Sequence, residues 1–149
     1  MLEATRPSVV GSADFTNLTY PVGTIAVDPA AREICGANPE RQDAILGPNP
    51  APSFHGYFCA RFDAPFAHWG TVANGTQRAG ERAARGVMLS GYVEFQQHTK
   101  TIDVRVGVSF ISIEQARRNL EKEIPDSTRL ESTARRTREE WRKKLETAS

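Results

Sequence analysis

The chain has 149 residues, of which 39% are hydrophobic and 25% charged, with a formal net charge of +1. That length suits a single domain, and so balanced a charge leaves no basic footprint for nucleic acid or an anionic membrane. No apolar run is long enough to cross a bilayer, and residues 1–10 lack the basic and apolar segments of a signal peptide.

Val22 to Asp28 alternates as a short strand, Pro29-Ala30-Ala31 forms a turn, and Arg32 to Cys35 is a possible return strand. The proline-laden stretch from Glu40 to Ser53 is expected to be a loop, because proline removes ladder donors. In the next segment Phe54, Phe58 and Phe62 share one face, with Gly56 and Ala60 between them, a pattern suited to packing on a second sheet. Residues 70–87, rich in Gly, Ala and Arg, read as a long flexible loop. Leu89, Gly91, Val93 and Phe95 alternate again, and so do Ile102, Val104, Val106, Val108 and Phe110. The apolar side of the latter run is expected to be buried, with Gln97-His98-Thr99-Lys100 joining the two runs as an antiparallel hairpin. Strands without intervening helices predict an antiparallel β-sandwich over residues 1–111.

At Ser112 the period changes. Ser112 and Gln115 form a capping-box signature, and Ile113, Ala116, Leu120 and Ile124 mark one face of a helix that Pro125 stops. Thr128 and Glu131 repeat the capping pattern before a second helix lined by Leu130, Ala134, Trp141 and Leu145, with Glu140 and Lys144 spaced to pair. Residues 112–149 hold 10 Lys/Arg and 8 Asp/Glu, so a β-rich body gives way to a charged helical segment. The apolar fraction is below that of compact domains, which implies solvated segments or a surface that awaits a partner.

Few constellations suggest chemistry. His55, His68 and His98 have no metal-ligand spacing, no nucleophile or phosphate-loop motif occurs, and Glu139-Glu140 sits among compensating cations, so no catalytic or metal residue is assigned. Cys35 and Cys59 are too few for a disulfide scaffold, and both a pairing and two buried thiols stay open. Asn17-Leu18-Thr19 and Asn74-Gly75-Thr76 are glycosylation sequons, and Asn74-Gly75 is also a turn dipeptide. Trp69, at a sheet margin, could stack on a sugar face, although the plainer reading is that it covers the sandwich edge.

Two segments carry a resemblance. Gly56-Tyr57-Phe58-Cys59-Ala60-Arg61-Phe62-Asp63-Ala64-Pro65-Phe66, followed by Gly70-Thr71, and the run from Val104 to Glu121 together resemble glycoside hydrolase family 92, with Gly91 to Phe95 and Trp141 in the expected order. The resemblance implies the later part of that family's N-terminal sandwich, then linker helices over 112–149 that lead to an absent (α/α)6 barrel. It also implies a fungal-type, exo-acting, calcium-dependent inverting α-mannosidase acting on mannose-containing N-glycans or mannans, typically secreted or at the cell surface. An inverting enzyme needs an acid and a base; in the family these, and most calcium ligands, lie in the barrel, so none is carried over to this chain. Arg117 and Arg118 could fix the interdomain contact or lie on a solvated face. A different class of function, a stand-alone carbohydrate-binding sandwich, would use Trp69, Tyr57 and Tyr92. A third would dock a protein on the Leu130–Leu145 stripe.

Overall fold

The computed structural model describes residues 22–39 and 55–147, together with the backbone of three short strands, β1 (Leu2–Glu3), β2 (Ser8–Val9) and β3 (Leu18–Thr19). The expected loop over 40–53, Phe54 and Asn17 fall outside the described residues. The remaining strands are β4 (Gly23–Asp28), β5 (Glu33–Asn38), β6 (Gly56–Phe62), β7 (His68–Ala73), β8 (Thr76–Ala79), β9 (Ala83–Gly86), β10 (Leu89–Glu94) and β11 (Val104–Ser109). Two helices follow, α1 (Ile113–Glu123) and α2 (Leu130–Glu146).

The strands form two antiparallel sheets, one ordered β11-β6-β5-β4-β9 and the other β1-β10-β7-β8, with β2 and β3 paired separately. The β4–β5 turn is closed by Asp28, whose carboxylate accepts from the amides of Ala30 (2.9 Å) and Ala31 (3.1 Å). Ile25, Val27, Ile34, Ala60 and Phe62 from the first sheet meet Leu89 from the second in one core. The approach of the sheets is close, since a Cβ on Gly91 would come within 2.9 Å of the Ile25 Cδ1. Phe62, Phe66 and Phe95 close one end, with ring centroids 5.3 to 5.9 Å apart.

A sandwich followed by two helices is therefore the architecture, but three expectations change. Residues 70–87 are not a flexible loop: they complete β7 and supply β8 and β9. Their Gly and Ala residues lack strand propensity, yet a tight turn at Asn74-Gly75 and pairing of β8 with β7 and of β9 with β4 hold them extended. Nor do β10 and β11 form a hairpin, because β10 pairs with β7 and β11 crosses to the other sheet to pair with β6. Third, the faces of β11 are reversed. Val104, Val106 and Val108 are exposed, and Gly107 and Ser109 are buried.

The reversal follows from helix packing. On the outer face of the five-stranded sheet a Cβ at Gly107 would lie 2.2 Å from the Ala116 carbonyl oxygen and 2.7 Å from the Leu120 Cβ. Only a strand face without side-chain bulk admits α1 so closely, so the chain stacks as sheet, sheet and helix.

Candidate functional site

The seat of α1 is polar. Glu33, Cys35 and Ala37 on β5 face the same way as Tyr57, Cys59 and Arg61 on β6 and Arg105, Gly107 and Ser109 on β11, as their registers require. Cys35 and Cys59 lie directly opposite each other and form a disulfide. The bond packs beneath Ala116, with Tyr57 and Ile113 at its margin. Beside it Glu33, only 2% exposed, accepts from Arg61 Nε (2.8 Å) and Nη2 (2.6 Å) and from Arg117 Nε (3.0 Å). Arg117 also points Nη2 at the Cys35 sulfur, 3.6 Å away.

The network continues along the sheet. Arg61 donates to Glu121 at 2.9 Å and to Asp126 at 3.2 Å; Arg105 donates to the Ile124 carbonyl at 2.7 Å and to Asp126. Three carboxylates and three guanidiniums thus join β5, β6, β11, α1 and the turn after α1. Burial alone would pull the Arg61 pKa down, but hydrogen bonds to Glu121, Glu33 and Asp126 and the Glu33 charge outweigh it and raise it. Hydrogen bonds from Arg105, then Arg61, hold the Asp126 carboxyl below its ordinary range.

Both ends of α1 are fixed. The Ser112 hydroxyl accepts from the Gln115 amide at 3.0 Å, half of the expected capping box; the Gln115 side chain instead donates to Asn119 at 2.7 Å. The second expected box does not form, because Arg129 is the cap of α2 and offers no side-chain bond. Glu140 pairs with Lys143 rather than Lys144. Helix α2 buries none of its residues, and Leu130, Trp141 and Leu145 are exposed. Two apolar surfaces are therefore open to solvent: the valine face of β11, continued by Phe110 and Ile111, and the α2 stripe.

The family model for the glycosyl hydrolase family 92 N-terminal domain matches residues 4–109. The chain belongs to family 92. Among solved structures, a family 92 inverting mannosidase from Bacteroides thetaiotaomicron is similar with a TM-score of 0.70 and 24% identity, over 82% of this chain. The likeness covers 16% of that enzyme, so this family 92 chain spans a small part of its length. No curated protein sequence matches.

Within this family 92 sandwich the three aromatic residues singled out from the sequence occupy three different surfaces. Trp69 packs against the core from β7, its indole N–H buried without a partner among the described residues. Tyr92 is buried on the other face of that sheet, across Gly70, where a Cβ would come within 2.7 Å of its ring. Tyr57 lies against α1 and stacks on His55 at 6.0 Å. Arg117 is spent inside the helix seat, whereas Arg118 is exposed and donates to Gln115 at 2.8 Å. Sequence reading missed Glu33, Arg61, Arg105 and Asp126, whose single signal was an acidic or basic residue on otherwise strand-like or turn positions.

Calcium, implied by the family resemblance, takes six to eight oxygen ligands. The ligand-type cluster that forms among the described residues, Glu33 with Cys35 and Cys59, offers one carboxylate already held by two guanidiniums and a disulfide. It does not fit that ion.

Proposed function

We propose that this chain is the sandwich and linker of an α-mannosidase that trims mannose from N-glycans or mannans, and that it supports the hydrolytic centre rather than containing it. The observation that carries the reading is the bare valine face of β11: Val104, Val106 and Val108 are 46%, 47% and 66% exposed. A surface of this kind marks a contact with another body. In this reading the helical barrel of the parent enzyme covers β11 and the α2 stripe, Arg118 supplies a polar contact at the rim, and the barrel holds calcium. The carboxylates gathered here support it too. Inverting hydrolysis needs an acid and a base roughly 6.5–9.5 Å apart across the scissile bond, whereas Glu33, Glu121 and Asp126 are all bound to guanidiniums.

The test is to incubate the purified chain with calcium and α-mannosides, beside the longer polypeptide in which the barrel follows. Mannose release by the longer polypeptide alone is expected. Chelator-sensitive release by the 149-residue chain would overturn the supporting role. Heat or a tryptophan fluorescence change on adding mannose oligosaccharides to the chain alone would favour a stand-alone binding module instead.

A further inference from the structure

The Asn74-Gly75-Thr76 sequon has a place in the fold that the hydrolase reading leaves unused. Ala73, the last residue of β7, pairs with Thr76, the first of β8, so Asn74 and Gly75 are the two central residues of a tight hairpin turn. Both have positive φ, +48° and +76°, as a type I′ turn requires. All three sequon residues are exposed, and a Cβ built on Gly75 meets nothing within 4 Å. The backbone N–H of Asn74 donates to the Met88 carbonyl at 3.3 Å, which anchors the base of the turn without engaging the carboxamide. The turn stands clear of the sandwich.

An independent observation points to the compartment. Cys35 and Cys59 are bonded, and such bonds persist where conditions are oxidising, including the lumen in which asparagine-linked glycans are added. We propose that Asn74 is an N-glycosylation site. The donor class is a lipid-pyrophosphate-linked oligosaccharide. The Asn74 amide nitrogen forms a bond to the anomeric carbon as that carbon's bond to the pyrophosphate oxygen breaks; the lipid pyrophosphate leaves with the electron pair, and the nitrogen gives up one proton. Thr76 supplies the hydroxyl that the transferase requires two residues on. A glycan here also suits the fold, because β8 is an edge strand with all four residues exposed, and a bulky group at its head blocks the addition of a foreign strand.

The experiment expresses the full chain behind a secretion leader in a eukaryotic host and analyses the peptide containing residue 74 before and after peptide-N-glycosidase. A glycan on that peptide, with Asn74 converted to aspartate when the glycan is released, is expected; the site-resolved readout separates it from Asn17. Thr76→Ala, which leaves the turn residues in place, should abolish the modification, and Thr76→Ser should keep it. Secreted, disulfide-bonded protein whose Asn74 is unmodified would overturn the proposal, as would a glycan on Asn74 that survives Thr76→Ala.

Discussion

Glu33 shows how one side chain can decide whether a helix has a seat. Its carboxylate is buried and serves two guanidiniums from different elements, Arg61 on β6 and Arg117 on α1. Without it Arg117 loses its carboxylate partner while Arg61 keeps Glu121 and Asp126, so Glu33→Ala is expected to cost roughly 1–3 kcal/mol in chemical denaturation. Asp126 behaves differently because it is exposed. Its folded pKa is depressed by Arg105 and Arg61, so its contribution is present above the ordinary carboxylate range and is lost as pH falls through the folded value. The turn between α1 and α2 should therefore loosen in acid and stay unchanged across neutral pH. Amide exchange at Ile124 to Thr128 checks this, and added salt should weaken the effect.

At the scale of elements, a glycine controls helix docking. A side chain at Gly107 would meet the backbone of α1 rather than a movable neighbour. Gly107→Val should cost roughly 1–3 kcal/mol and make residues 113–123 the first site of limited proteolysis, while far-ultraviolet dichroism keeps its sheet signal. The same glycine explains what the sequence could and could not show. The alternation from Ile102 to Phe110 announced a strand, and Ser112 announced a helix start, so both elements were legible. Which side of β11 lies inside was not: apolar alternation names two faces but not their neighbours, and here a close-packed helix selected the small one. β7, β8 and β9 were obscured for a related reason, since Thr, Gln, Arg, Ala and Gly become strands only through pairing and the Asn74-Gly75 turn. The helix-seat carboxylates were hidden because their partners are far away in the chain; Arg117 reaches back 84 positions to Glu33.

Over the whole molecule, the two sheets share a core around β4, β5 and β10 and leave β11 overhanging it. A charge placed on that overhang separates folding from association. Val106→Glu should change the stability of the isolated chain by no more than about 0.5 kcal/mol, as for other exposed positions, yet, under the proposed supporting role, reduce mannose release by the longer polypeptide. Equal loss in both measurements would mean that Val106 is needed for folding rather than contact.

The roof over the disulfide has a temporal consequence. In the folded chain Cys35 is 4% and Cys59 0% exposed, and Ala116 and Ile113 of α1 pack over the bond. The bond is shielded from small thiols for as long as the helix stays down. Its reduction rate should then report helix lifting, being slow in the intact chain and markedly faster in Leu120→Ala, whose buried side chain keeps the roof in place.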